Sequence, residues 1–578
     1  MCGIIAVLSR PATRPAPDPG WLVERAAAAA ASVPAPTGQD LTASIGDAAA
    51  VLEDVDRALR GVPGVQAFIE HPNVVEQLRG ALATVDAGVD ALEAWADSGH
   101  CSLAGADLEA FNEAMIRLKD AAWAVSRDRL RTAEAVVDLA GPNAGAAAIA
   151  AMHAVQVALS ALDRLEVRGR DSAGLQLLVE GHGLDVSSLP SKGRLDDPLF
   201  TSMAVRTPEG HLSFVYKAAA EIGELGDNTR ALRGAMRSDE LLHLALASPD
   251  AKVTVLGHTR WASVGIISEA NAHPVNHEED GRTDGPYVAA VLNGDVDNFA
   301  ELKERWRLEI PAAITTDAKV IPVLVSRQIG EGLGPDDAFR RTVASFNGSV
   351  AIAAHDAGRP EHLLLALRGS GQSLNVGLAE DAYIVASEAY GLVEMTSTYL
   401  RVDGEVPSPS GTRGQVLVLD GSKAGTLEGI TRVAYDGTEL PVADNELSHA
   451  TITTRDIDRG AFPHYLLKEL TEAPSSFRKT LRGRVEERDG VLRAALGPDA
   501  VPPALSEGLR EGRIRRILVI GQGTAAVAGQ GVAAFLSAAL ADTPVSVTSL
   551  PATELSGFQL DDDMSDAAVV AVSQSGTT

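Results

Sequence analysis

Cysteine is almost absent: Cys2 and Cys101 are the only two in 578 residues. Two thiols allow one bridge at most, so a disulfide scaffold is excluded and the reduced cytoplasm is the expected compartment. No apolar run approaches the ~18 residues that a spanning helix needs. The start, MCGIIAVLSR, lacks the basic flank and the apolar length of a secretory signal. No membrane association is therefore expected. Basic charge is also scarce, with 50 Lys and Arg against 78 Asp and Glu, a net charge of −28. Without a local basic patch such a chain does not hold a nucleic-acid backbone. His273 and His277 share a loop, and two histidines alone rarely make a metal site.

What is present is ordinary globular material, 45% hydrophobic and 22% charged. The length predicts roughly three to four domains of about 100–200 residues. The first ten residues read as a strand, and the Pro-rich stretch 11–20 ends it. From Trp21 to Leu139 the chain is Ala-rich and helical. Val75, Leu78, Leu82, Val85, Val89 and Leu92 recur in steps of three and four, as do Leu108, Phe111, Met115, Leu118, Ala122 and Val125. Such seams predict a bundle of three or four helices interrupting another domain. A helix over 148–166 follows. Short apolar runs then dominate, among them VTVLGHTRW, YVAAVLNGD, GSVAIAAHD and AYIVASE, which predict a largely antiparallel sheet with helices interspersed, such as 317–329. Residues 405–455 are polar and read as a hinge. RILVIGQGTAAVAGQ, VSVTSL and AAVVAVSQSGTT read as parallel α/β structure. About 120 residues follow position 458, and three strands ending on a turn read as an unfinished sheet: a fragment, or a unit completed by a partner.

Cys2 follows the initiator methionine and precedes Gly3, so methionine removal would leave a thiol bearing its own α-amine. The two groups titrate near ~8.5 and ~7.7–8.0, close enough for the amine to serve as the thiol's base. A cysteine at a chain start also occurs without chemistry. Four further stretches carry polar groups unusual for buried strands: Arg168–Ser172, Gly257–Trp261, Leu292–Asp295 and Thr315–Asp317. Taken singly these could be ion pairs or turns, and Asn293-Gly294 could be a hairpin turn.

Together and in this order, MCGI, RGRDSAG, GHTRWASVG with NAHPVN, NGDVDNF and TTDAKVI resemble the glutaminase domain of the class II glutamine amidotransferases. The resemblance covers 1–10 and 148–430. It implies an N-terminal-nucleophile αββα sandwich in which Cys2 attacks the glutamine side-chain amide to give a γ-glutamyl thioester and ammonia. It also implies that Asn293 and Gly294 form the oxyanion hole, with each donor contributing about 3–4 kcal/mol to the transition state. Arg260 matches the clamp on the substrate carboxylate, where a planar guanidinium can bind two oxygens. Asp317 matches the partner of the α-ammonium, Arg168 a residue ordering the site, and Trp261 a tryptophan gating an ammonia tunnel, although a core aromatic is an equal reading. The family's RGYDSAG is RGRDSAG here, with Arg170 for tyrosine. Its RWATHG is RWASVG, where Ser263 keeps a hydroxyl and Val264 only backbone contacts. Cys101, inside the helical insertion, reads as structural or inert.

Residues 459–578 resemble the start of the sugar-isomerase (SIS) half of the glucosamine-6-phosphate synthases, the glutamine–fructose-6-phosphate transaminases. By that resemblance Thr524, Ser573, Gln574, Ser575 and Thr578 match sugar-phosphate positions, as suits hydroxyls and N–H groups at a turn before a helix. Ala525 stands where the family has serine. Nothing in the chain matches the family's ring-opening histidine, isomerising glutamate or Schiff-base lysine, and Lys468 does not fill the last role. The expected organisation is α/β and α+β multidomain: glutaminase at 1–10 and 148–430, helical insertion at 11–147, linker at 431–458, and a partial parallel SIS unit at 459–578. Glutamine and fructose 6-phosphate are the implied substrates, neither metal nor organic cofactor is implied, and a homodimer through the SIS half is the implied assembly. Two other readings stand beside this one, an amidotransferase with a different phosphosugar acceptor and a non-catalytic sugar-phosphate sensor with a relic glutaminase.

Overall fold

Strand β1, Gly3–Ser9, begins one residue after Cys2 and lies inside a nine-stranded antiparallel sheet. Its alternation decides what faces what. Ile4, Ala6 and Leu8 face a second sheet, while Gly3 meets a helix on the other side. This computed structural model describes residues 2–36, 40–98, 101, 103, 105–189, 193–219, 224–482, 484–496 and 501–573. They divide into two units, Met1–Cys101 with Ala110–Ala473, and Ser102–Glu109 with Pro474–Thr578.

After β1 the chain enters helices α1 (Pro19–Ser32), α2 (Leu41–Ala58), α3 (Gly61–Glu70), α4 (Pro72–Asp97), α5 (Gly105–Trp123) and, past a π-helical turn at Ala124–Arg131, α6 (Thr132–Ala140). Asp18 caps α1 by accepting from Trp21 N at 2.7 Å, and Pro19 fits the first turn, where no amide donor is needed. On α4 the buried stripe is Val74, Leu78, Leu82, Val85, Val89 and Leu92. It opens at Val74 rather than at the expected Val75, since four residues separate each of the first three members. Helix α7 (Ala146–Leu165) then returns to the sheet, and every residue from Ala151 to Leu159 is buried. It is hydrophobic all round because it lies between β1 and the added helices. By length and composition α7 could cross a membrane, but 72% of its apolar window is buried inside the fold.

Strands β2 (Ser172–Glu180) and β3 (Leu212–Ala218), helix α8 (Asp227–Arg237) and strands β4 (Lys252–Arg260) and β5 (Val288–Gly294) follow. Next come helices α9 (Val320–Gly330) and α10 (Pro335–Ala344) and strands β6 (Val350–Asp356), β7 (His362–Arg368), β8 (Asn375–Ala379), β9 (Ala382–Ala386), β10 (Thr398–Arg401), β11 (Gln415–Asp420), β12 (Ile430–Ala434) and β13 (Leu447–His449). The first sheet runs β13-β10-β8-β9-β1-β4-β2-β3, with Val205–Arg206 at its edge. The second runs β12-β11-β7-β6-β5, with Val275–Asn276 at its edge. All these pairings are antiparallel. Leu256, Val291, Ala353, Leu365 and Val385 fill the space between the sheets. Val288, Ala290 and Leu292 point the other way, onto Ile321, Leu324 and Phe339 of α9 and α10. The layers are therefore helix, sheet, sheet, helix.

The polar stretch 405–455, read as a hinge, carries β11, β12 and β13, which extend both sheets. Val416, Leu417 and Leu419 hold it to the inter-sheet core or to the outer one. In the other unit β14 (Arg516–Gly521), α11 (Thr524–Ala539), β15 (Ser546–Pro551) and β16 (Ala567–Ala571) form a parallel sheet in the order β15-β14-β16.

A buried charge network joins the added helices to the sandwich. Arg129 Nε donates to Asp56 Oδ1 of α2 at 2.7 Å, and its Nη2 donates to the Glu394 carbonyl at 2.7 Å. Thr132 Oγ1 and Arg164 Nη1 donate to the two Glu394 carboxylate oxygens, each at 2.8 Å. Thr454 Oγ1 donates to Asp128 Oδ2 at 2.6 Å. Burial, reinforced by the charge of Glu394, pushes the Asp128 carboxyl well above its ordinary value. The native state therefore holds a proton that the unfolded chain has already lost, and this contribution to stability fades as pH rises through that range. Asp128→Asn should remove the dependence while keeping the acceptor for Thr454. Between pH 5 and pH 8 the melting temperature of the variant should rise relative to the parent by roughly 2–4 °C, the shift that about 1 kcal/mol gives in a large domain. Differential scanning fluorimetry at the two pH values checks this, and parallel profiles would show that Asp128 carries no such proton.

Candidate active site

Antiparallel pairing brings three separate stretches to one sheet edge. Gly3 is opposite Thr259, and Ser172 is opposite Arg260. The start of β1, the end of β4 and the start of β2 therefore coincide. Alternation then orients them, since Cys2 has the parity of Ile4 and Arg260 that of Leu256, both of which face the second sheet. On that sheet Asn293 has the parity of Val291 and faces back. Asn293 Nδ2 donates to the carbonyl of Cys2 at 3.0 Å. Gly294 ends β5 at φ +92°, and a Cβ there would sit 1.9 Å from the carbonyl oxygen of Ser349. Only glycine fits.

The thiol of Cys2 accepts from Trp261 N at 3.3 Å and lies 3.5 Å from the Trp261 carbonyl, to which it can donate. Burial pushes its pKa up, whereas the Trp261 N–H and the Arg260 charge pull it down. The Trp261 indole is 59% exposed, which removes the core-aromatic reading. Arg260 is 3% exposed, and its guanidinium donates to the carbonyls of Ile266, at 3.1 Å, and Val264. Among the described residues no carboxylate lies within ion-pair distance of it, and burial lowers its pKa. Ser263 Oγ donates to Asp295 Oδ1 at 2.7 Å, which ties the 261–266 loop to the end of β5. Asp317 is 4% exposed and accepts from Val296 N at 2.7 Å, and burial raises its carboxyl to about 6. Arg168 donates to Tyr390 Oη at 3.0 Å and pairs with Glu388.

Supporting residues that the sequence motifs contain but to which no individual role was given complete the site. His258 Nε2 lies 2.8 Å from the Leu292 carbonyl and 3.1 Å from Asn293 Oδ1. Burial lowers its pKa to about 3, so it is a neutral donor that fixes which end of the Asn293 amide points to Cys2. The His273 ring stacks on it with centroids 4.4 Å apart. The period-two spacing of His258 and Arg260 was the available signal. Asp171 accepts from Ala262 N at 2.8 Å, and Asn271 Oδ1 accepts from Thr315 N and Thr316 N at 2.7 and 2.9 Å, positioning the turn before Asp317. Gly169 lets its turn touch β4, for a Cβ would lie 2.5 Å from Arg260 C and Trp261 N. These contacts are long-range and have no local pattern. Among the described residues no group of three or more His, Cys, Asp or Glu is placed for a metal ion.

In the other unit Thr524 opens α11 just past β14, and Ser573 lies two residues past β16, so both occupy the carboxyl ends of adjacent parallel strands. That edge is where ligands bind in parallel α/β sheets. Gly523 has φ +57°, and a Cβ on Gly521 would lie 2.8 Å from Ala525 C, so the turn is closely wound. Gln574, Ser575 and Thr578 lie outside the described residues.

The two sheets between their helical layers thus form a four-layer αββα sandwich, with a cysteine at the head of its first strand and an amide donor on the facing strand. No protein-family model matches the chain. It is similar to curated enzymes named glutamine–fructose-6-phosphate aminotransferase (isomerizing). With that of Bacillus subtilis (strain 168) it is 28% identical over 382 residues, 66% of this chain and 50% of the relative. With that of Geobacillus kaustophilus (strain HTA426) it is 27% identical over 339 residues, 58% of this chain and 44% of the relative. The chain thus spans about half the length of the curated relatives it matches. Among solved structures, glutamine phosphoribosylpyrophosphate amidotransferase from B. subtilis with ADP and GMP overlaps 49% of this chain and 47% of its own at 18% identity and a TM-score of 0.32.

The electrostatics at Cys2 are testable by alkylation. In a Cys101→Ser background, iodoacetamide should modify Cys2 with a pH midpoint that rises when Arg260 becomes Gln, because the cation favours the thiolate. At pH 7.5 the rate should fall by up to about tenfold, the effect of one pKa unit. An unchanged profile would mean that Arg260 does not act on the thiol.

Proposed function

We propose that the sandwich hydrolyses glutamine at Cys2 and supplies the ammonia to a sugar phosphate. The observation that carries this reading is Arg260, a buried cation with no carboxylate partner among the described residues, beside the thiol of Cys2. A buried guanidinium left unpaired is costly, and a substrate carboxylate would relieve that cost. Asp317 is the corresponding acceptor for the substrate ammonium, held by Val296 N and near the charge of Asp295.

Once Met1 is removed, the α-amine of Cys2 takes the thiol proton and Sγ bonds to the amide carbon. Asn293 Nδ2 and the Gly294 N–H stabilise the oxyanion. The C–N bond breaks as the nitrogen takes up the proton and leaves as ammonia. Water then cleaves the thioester, giving glutamate and the free thiol. Trp261 and Ser263 border the substrate, and Arg168 orders the edge through Glu388. Thr524, Ser573, Gln574, Ser575 and Thr578 are the proposed contacts to the acceptor. Fructose 6-phosphate is the acceptor favoured by the names of the relatives, in an assembly dimeric through the SIS half.

The test is glutamate release from glutamine. Cys2→Ala should abolish it. Asn293→Ala should lower kcat by about 10²–10³-fold with the thiol still open to alkylation. Arg260→Lys should raise KM more than it lowers kcat, because the forked contact to a carboxylate is lost. Release that survives Cys2→Ala would overturn the assignment. Release unaffected by fructose 6-phosphate would favour a different acceptor.

A further inference from the structure

The added helices close over the outer face of the first sheet and leave a cavity of about 630 Å³, distinct from the Cys2 site. Its walls include Val7 of β1, Val62 of α3, Ala154 and Val157 of α7, Leu378 and Met395. Volume and lining are those of a small-molecule pocket, apolar with few polar groups. Two buried polar side chains line it, Thr396, whose hydroxyl donates to the Leu378 carbonyl at 2.9 Å, and His153. His153 is 8% exposed, and neither ring nitrogen has a hydrogen-bond partner among the described residues. Burial holds the imidazole neutral, with a pKa of about 4, so it offers one donor and one acceptor. Buried polar groups are normally paired, and an unpaired one facing a cavity marks the place of a ligand group.

The rim fixes the charge of that ligand. Four arginines line it, and each already has a carboxylate: Arg10 with Asp381 at 3.2 Å, Arg14 with Glu380 at 2.8 Å, Arg57 with Asp54 at 2.9 Å and Arg60 with Asp56 at 2.7 Å. Each lining cation is thus already paired, with Asp54 shared with Arg25 and Asp56 with Arg129, and no lining carboxylate is left for a cation. We infer that this cavity binds a neutral, largely apolar small molecule carrying one hydrogen-bonding group, which His153 receives. The added helices are what create the site, since Val62 and the rim arginines at 57 and 60 belong to them or to their connection.

The probe is N-phenyl-1-naphthylamine, a neutral aromatic amine with one N–H, titrated into the full chain by fluorescence. Saturable binding of one probe per chain is expected. His153→Leu should weaken it about five- to tenfold, the worth of one hydrogen bond. Ala154→Trp and Val62→Trp fill the cavity from α7 and from α3 and should each abolish it, with the melting temperature confirming that at least one of them folds. The matched anion 8-anilino-1-naphthalenesulfonate should bind at least tenfold more weakly. Binding that persists in the folded filled variants puts the probe elsewhere and overturns the site. Equal or tighter binding of the sulfonate overturns the neutral class. No saturable binding, as when a protein segment is the true occupant, overturns the proposal.

Discussion

The pairing of β1 between β9 and β4 is the constraint on which the rest depends. It puts Gly3 opposite Thr259 and so places the residue before it beside Trp261. Glycine is required there, since a Cβ at position 3 would lie 2.7 Å from both Leu165 Cβ and Thr259 Oγ1. The nucleophile candidate is thus held by a strand buried on both faces rather than by a mobile terminus. A one-residue slip would turn Cys2 from the gap between the sheets to the helix side. The same slip would expose Ile4, Ala6 and Leu8 to the wrong neighbours, so the core that stabilises the fold also enforces the register of the site.

The second sheet supplies the opposing half. Asn293 and Gly294 end a strand whose other face packs on α9 and α10. Behind them His258 and His273, both neutral by burial, hold the amide and the Leu292 backbone. Charges are placed sparingly in this gap. Among the described residues Arg260 is satisfied only by carbonyls, and Asp317 chiefly by backbone N–H groups, which leaves each with unspent electrostatic attraction for an outside group.

The added helices are joined to the sandwich by more than apolar packing. Arg129, Asp56, Arg164 and Glu394 form a buried polar network across that boundary. Such networks add directionality that Ala-rich surfaces lack, because an ion pair with one partner displaced is strongly unfavourable. It fixes α2 and the 124–140 stretch against α7, and the cavity around His153 is bounded by the elements so fixed. The sandwich is therefore tied to the helices that lie between β1 and α7 in the chain.

Local patterns determined much. The seams of α4 and α5, the apolar strands and the parallel character of residues 516–571 were legible because periodicity is carried by neighbouring residues, and motif order singled out Cys2, Arg260, Asn293, Gly294 and Asp317 as candidates. Tertiary structure alone decided the rest. It joined the 405–455 stretch to both sheets, through the apolar run GQVLVLD that already reads as a strand and through β12 and β13, which are too short and too polar to announce themselves. It exposed the indole of Trp261 and sent the guanidinium of Arg168 to Glu388. It drew His258, Asp171, Asn271 and Asp295 around the site and left His153 facing a void. Each of these depends on partners tens to hundreds of residues away, and only the packing of the two sheets brings them within hydrogen-bonding distance.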